Sequence, residues 1–219
     1  MARPRDSLKT LAKPLKPLVG SALEEMEACL ASDVLPSVNW NCHDPEELRL
    51  IYEKSGGILF EACFGRAFYT IPLTGHLASP VAISMGISDF AERECGTLYL
   101  CRAATEMDLT MILLAQVTGA NVSRVPTGLL RDAEWDRLMD WLERLTALDF
   151  SVLQVKTFSL PMLRDWVRET AEDSTRRPFV VIDDELLVAE KRQANFDALT
   201  DLSEKYGAAI ALVAHVPPH

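Results

Sequence analysis

Phe179-Val180-Val181-Ile182-Asp183 decides the fold. Four consecutive apolar residues, three of them β-branched, leave no polar face, so a strand formed here must be covered on both sides, as strands of a parallel sheet are. The acid that ends the run then falls at the carboxyl edge of such a sheet, where α/β folds place their ligands. Similar runs flank it: Ala67 to Pro72, Thr97 to Cys101, Ser151 to Val155 and Ala208 to Ala214. Between them the apolar spacing predicts helices near 78–93, 106–119, 132–148, 160–172 and 193–205. Ser159 with Pro161 in the following turn opens one of these, and Gly207 closes another just before a strand. Strand and helix alternate, which predicts an α/β fold of three layers: a mostly parallel central sheet flanked by helices.

The 219 residues suit one compact domain with a short appendage, being 48% hydrophobic and 25% charged. A net charge of -10 repels a phosphate backbone, so any nucleic-acid contact has to be local. The cysteines, at 29, 42, 63, 95 and 101, are odd in number and form no C-x-x-C pair, which points to reduced thiols in a cytosol-like compartment. No run approaches the roughly 18 apolar residues of a membrane span, and no secretion signal opens the chain, so a cytoplasmic protein without membrane contact is expected. His43, His76, His215 and His219 lack metal-binding spacing, and no Gly-x-Ser-x-Gly elbow is present. Trp135 and Trp141 sit six apart around an acidic helix, Trp166 follows helical spacing with Leu163 and Val167, and all three are expected in the core rather than on a partner-binding face.

Residues 1–19 carry Arg3, Arg5, Lys9, Lys13 and Lys16 against Asp6, with Pro14 and Pro17 interrupting regular structure. A flexible basic arm is expected there. Residues 20–64 form an N-terminal helical segment: Ser21 to Ala31 has helical apolar spacing, and Asp44-Pro45-Glu46-Glu47 starts a helix that runs to about Lys54 and ends at Gly56-Gly57. The α/β domain is 65–219.

From Thr97 onward the sequence resembles the C-terminal, RecA-like ATPase domain of the DnaB family of replicative helicases. That family has an apolar strand ending in Ser-Leu-Glu-Met, a Leu-Leu-Ala-like helix, then a basic-apolar-x-Thr-Gly turn before an acidic, aromatic-bearing helix. Here the matching runs are Leu98-Tyr99-Leu100-Cys101-Arg102-Ala103-Ala104, Leu109 to Ala115, Arg124-Val125-Pro126-Thr127-Gly128 and Asp132-Ala133-Glu134-Trp135. Phe179 to Asp183 looks like the Walker B strand, and Tyr206 to His215 is similar to the strand after it. The resemblance covers roughly residues 65–215 and implies a RecA-like three-layer fold.

What it implies for catalysis is a loss. The family's phosphate loop should follow the first strand, where this chain has Ile71-Pro72-Leu73-Thr74-Gly75-His76-Leu77-Ala78-Ser79. A phosphate loop needs backbone N–H groups, a Lys for charge and a Ser or Thr for magnesium. Thr74, Gly75, His76 and Ser79 would be the nucleotide contacts if any are kept, but no Lys is there. Ala103 stands where the family has its catalytic Glu, and a methyl group accepts no proton. Glu106 lies three residues further on, in the next helix. Asp183 matches the acid that holds magnesium through water, and is the retained element.

The resulting expectation is a degenerate RecA-like domain that does not hydrolyse ATP. It would act by interaction or regulation in DNA replication or recombination, requiring no cofactor, with a replicative helicase or its own copies as protein partner. Two alternatives are an ATP-binding, weakly active component using ATP and magnesium, and a nucleic-acid-binding accessory protein acting through the basic arm.

Overall fold

The computed structural model describes residues 7–31, 69–74, 95–102, 105–120, 124–157, 159–173, 176–183, 186–187 and 192–216. The helix expected near 78–93 and the one opening at Asp44 lie outside them. In chain order the elements are α1 (Leu8–Leu11), β1 (Lys13–Pro14), α2 (Leu15–Leu30), β2 (Tyr69–Thr74), β3 (Cys95–Cys101), α3 (Glu106–Thr118), a 3-10 turn (Val125–Thr127), α4 (Asp132–Ala147), β4 (Phe150–Gln154), α5 (Leu160–Ala171), β5 (Arg177–Asp183), α6 (Arg192–Tyr206) and β6 (Ala209–Val216). The strands form one sheet in the order β1-β4-β3-β5-β6-β2. All neighbours are parallel except the short β1, which runs antiparallel to β4.

The register follows from two-sided burial. Tyr99 of β3 lies opposite Val181 of β5 and Val152 of β4, and Phe179 lies opposite Ala209 of β6. These residues and Cys101 pack beneath α2, α3 and α4. Their alternates Leu98, Leu100, Val180, Ile182 and Ile210 pack beneath α1, α5 and α6. A slip of one residue would exchange the two sets. The predicted three-layer architecture is therefore present, and each described strand and helix from β2 onward lies within a few residues of its predicted span. Trp166 is buried under one face, and Trp135 and Trp141 pack at the margin of the other.

The N-terminal segment departs from expectation. A flexible arm over 1–19 does not describe residues 7–19, which carry α1, β1 and the start of α2. Leu8 and Ala12 join the core on one face of the sheet, while Leu15, Leu18, Val19, Ala22 and Met26 join it on the other. β1 crosses the β4 edge between them, pairing Lys13 with Val152 and Pro14 with Ser151. The prolines read as breakers are accommodated: Pro14 is the N-cap of α2 and Pro17 sits in its first turn, where a missing N–H is not needed. The buried positions recur at the three- and four-residue steps of one helix face, and their burial outweighs the basic residues between them.

The far end of α2 meets the turn that the sequence singled out as Arg-Val-Pro-Thr-Gly. Gly128 has φ 69°, and a Cβ there would come within 2.7 Å of the Met26 carbonyl oxygen and 2.6 Å of the Leu30 side chain. The Thr127 hydroxyl donates to the Arg124 carbonyl at 2.6 Å and accepts from the Leu129 N–H. The Arg124 guanidinium donates to Glu134 at 3.1 Å, whose other oxygen accepts the Arg131 N–H at the start of α4. The motif thus locks α2 against α4. Gly128→Ala is expected to remove at least about 1–2 kcal/mol of stability through the left-handed backbone alone, with the clash adding to it, read as a lower urea midpoint. A midpoint equal to that of the parent chain would show that the turn tolerates a side chain.

Candidate functional site at the carboxyl edge of β3 and β5

β3 and β5 are neighbours, but the chain leaves them toward opposite faces: β3 leads into α3 on one side, and β5 into α6 on the other. Adjacent parallel strands whose helices diverge open a crevice at their carboxyl ends, the usual ligand position in open α/β sheets. Cys101, Arg102 and Asp183 sit at this point.

Asp183 is 2% exposed. Its Oδ1 accepts the Tyr99 hydroxyl at 2.8 Å, and its Oδ2 accepts the Arg102 backbone N–H at 3.0 Å. Tyr99 is able to reach it because alternate residues share a face: Tyr99 and Asp183 both point toward the α3 side from paired strands. Two donors on two oxygens offset the burial of a carboxylate, which would otherwise be strongly unfavourable. Cys101 is the neighbour of Asp183 along the sheet and donates its thiol to the Leu153 carbonyl oxygen at 3.6 Å. Burial, and then the negative charges of Asp183 and Glu106, push the Cys101 thiol far above its ordinary range, so it stays protonated.

Glu106 opens α3 beside this crevice but is aimed at the sheet edge. Its Oε1 accepts the Gln154 N–H at the end of β4 at 3.1 Å, and its Oε2 accepts the Lys13 ammonium at 3.3 Å. The Gln154 side-chain amide in turn donates to the Arg102 carbonyl at 3.3 Å. Burial would raise the Glu106 carboxyl, but the Gln154 N–H, its own N–H and Lys13 together hold it below its ordinary value. The turn ahead of it is fixed by a reciprocal cap, with the Thr105 N–H donating to Asp108 at 2.9 Å and the Asp108 N–H to Thr105 at 3.1 Å.

The structure thus brings Asp183, Tyr99, Cys101 and Arg102 together, with Glu106 and Lys13 at the sheet margin. Thr74 ends β2, at the far edge of the sheet beyond β6, and its side chain lies outside the described residues, as do Gly75, His76, Ser79 and Ala103. Of the basic residues, Lys9 pairs with Glu169 at 3.8 Å and Lys13 with Glu106, while Arg3 and Arg5 lie outside the described residues. Among the described residues no three metal-binding side chains converge, and no helix is long and apolar enough to cross a membrane. Sequence reading missed Tyr99, since nothing within its own strand distinguishes a tyrosine that packs from one that donates to an acid 84 positions away.

Tyr99→Phe keeps the ring and removes the donor. Leaving a buried carboxylate oxygen without it is expected to lower unfolding free energy by about 1–3 kcal/mol, measured by urea titration; an unchanged value would show the bond to be incidental. Glu106 gives a pH signature. Its lowered carboxyl contributes stability above the ordinary Glu range that is lost as pH falls through the folded value. Glu106→Gln should therefore lose less stability than the parent chain over that acid window, followed by thermal melts across pH; parallel curves would count against the assignment.

No family model matches the chain, and no curated protein matches it in sequence. Similarity emerges in three dimensions. A solved ATPase domain superposes with a TM-score of 0.59 at 12% identity, covering 80% of this chain and 72% of its own. A DnaB-like replicative helicase, described with its interactions with primase, superposes with a TM-score of 0.57 at 8% identity over 91% of this chain. This chain spans 57% of that helicase. At these identities the shared feature is the fold, and it is the RecA-like fold of DnaB-type helicase ATPase domains.

Proposed function

We propose that this chain is a RecA-like module that does not hydrolyse ATP and acts by protein interaction in DNA replication or recombination. The observation that carries the proposal is the state of Asp183. In a hydrolytic site this acid holds magnesium through water; here both of its oxygens accept hydrogen bonds from the protein itself, one of them from a buried phenol. The rest of the sequence agrees. No lysine occurs between Thr74 and Thr97, and Ala103 occupies the position of the activating carboxylate. Glu106, the nearest acid to Ala103 along the sequence, is held by Lys13 and the Gln154 N–H.

The lysine-free stretch from Thr74 to Thr97 counts against magnesium–ATP. A triphosphate needs a cation to grip it, and each charge-assisted hydrogen bond lost from such a contact is worth about 1.5–3 kcal/mol. The arm-mediated nucleic-acid reading loses support for a similar reason. Lys9 and Lys13 lie in elements packed on the domain and face acids of α5 and α3, and the chain as a whole carries -10. What remains for a RecA-like scaffold is its surface. The helicase with the same fold is described in contact with primase, and a protein partner from replication is the reading adopted for this chain.

The expected outcome with excess magnesium–ATP is no thermal shift, where binding at 100 times Kd would add about 2.7 kcal/mol, and no phosphate release above that of the isosteric variant Asp183→Asn. ATPase activity in the parent chain that disappears in Asp183→Asn would overturn the proposal.

A further inference from the structure

α2 and α4 lie side by side on one face of the sheet, and a groove of about 500 Å³ runs between them. Its walls are Val19, Gly20 and Leu23 from α2 and Met139 and Leu142 from α4, with Lys16 at one end. The volume lies within the roughly 300–1,000 Å³ usual for binding clefts. Met139 is 62% exposed, a large apolar side chain set in water at the lip.

Gly20 is the unusual residue. It lies inside the helix Leu15–Leu30, where glycine is destabilising relative to alanine. Among the described residues nothing demands it: a Cβ at this position meets no atom within 4 Å, unlike Gly128, and its φ is not left-handed. Packing among the described residues does not account for the missing side chain. A backbone or bulky side chain approaching from outside does, because glycine is the residue that permits such an approach.

The charge around the groove states what would approach. Asp136 and Glu143 stand three residues before and four residues after Met139, and are its neighbours on the helix surface. Glu24 and Glu27 follow Gly20 by four and seven residues on α2. All four are exposed; Glu143 lines the groove together with Lys16, which is the single base among the lining residues. An apolar floor with an acidic rim complements an amphipathic helix with Leu-type residues on one stripe and Lys or Arg beside it. A second copy of this chain, itself at -10, is disfavoured by like charge.

We propose that the α2–α4 groove is the docking site for a basic amphipathic helix of a partner protein, seated against Gly20 and Met139. The proposal rests on the interaction reading above and supplies its surface. The test uses the full chain and a labelled synthetic helical peptide of about four turns, with Leu at i, i+3, i+4 and i+7 and Lys elsewhere. A matched peptide with Glu in place of Lys is the control, and anisotropy is the readout. Gly20→Leu projects into the groove from the chain's own side, its Cβ meeting no described atom within 4 Å, and exchanges a helix-interior glycine for a better helix former, so its melting temperature should equal or exceed that of the parent chain. Its affinity for the Lys peptide should fall at least tenfold, and Met139→Ala should weaken binding several-fold. Equal affinity in Gly20→Leu, or equal binding of the Glu peptide, overturns the proposal. Self-association of the parent chain that Gly20→Leu abolishes assigns the groove to a second copy and overturns it too. ATP hydrolysis is scored separately, so failure of the interaction reading is distinguishable from failure at this groove.

Discussion

The pairing of β3 with β5 is the constraint on which the rest of the molecule depends. Tyr99 opposite Val181 and Leu100 opposite Ile182 put large side chains on alternating faces of the same two strands. Each face then requires a helical layer of its own. α2, α3 and α4 close over Tyr99, Phe179 and Val181, and α1, α5 and α6 over Leu98, Val180 and Ile182. The same register brings the Tyr99 hydroxyl within 2.8 Å of Asp183, so one hydrogen bond ties the two strands at the end where their helices part. A register error here would bury the wrong faces and strand a carboxylate in the sheet at once, two penalties that make the native pairing strongly preferred.

The N-terminal segment answers a problem that this sheet creates. β4 would be an edge strand offering unpaired N–H and C=O groups. β1 covers two residues of it, and the helices on either side of β1 grip opposite faces of the sheet. Lys13, the residue that pairs along this edge, also carries the ammonium that reaches Glu106. Glu106 therefore joins the strap, the start of α3 and the end of β4 in one polar cluster. An exposed ion pair by itself contributes little, but Glu106 is 14% exposed and also accepts a backbone N–H that would otherwise be left at the strand end.

Most of the sheet was legible because continuous apolar runs have few other uses. Phe179 to Asp183 and Thr97 to Cys101 announce buried parallel strands from composition alone, and the helices between them carry caps that local rules recognise. The strap was not legible. Its basic residues and prolines are the local signals of a solvated tail, whereas its burial depends on partners such as Val152 that lie far along the chain. Within the crevice, Asp183 could be named from its place at a strand end. Tyr99 could not, nor could the fate of Glu106, since in both cases the decisive contact is a hydrogen bond between elements distant in sequence.

The polar groups at the crevice illustrate how a fold satisfies a carboxylate placed where two strands' helices diverge. A buried acid at a diverging strand pair has to be compensated, either by a bound cation or by donors of the chain. Tyr99 and the Arg102 N–H supply the second solution. Once that solution is in place, the carboxylate is balanced without a ligand, and a metal arriving there would have to compete with two formed hydrogen bonds inside a packed sheet. Glycine on α2 presents the opposite situation. At Gly128 the missing side chain is explained by a carbonyl 2.7 Å from where Cβ would stand; at Gly20 the corresponding space is open. A residue whose smallness the fold itself requires informs on packing, and a residue whose smallness it does not require informs on what meets the surface. By that criterion, among the described residues, Gly20 on the helical layer beside α4 is the glycine whose smallness points outward from the fold.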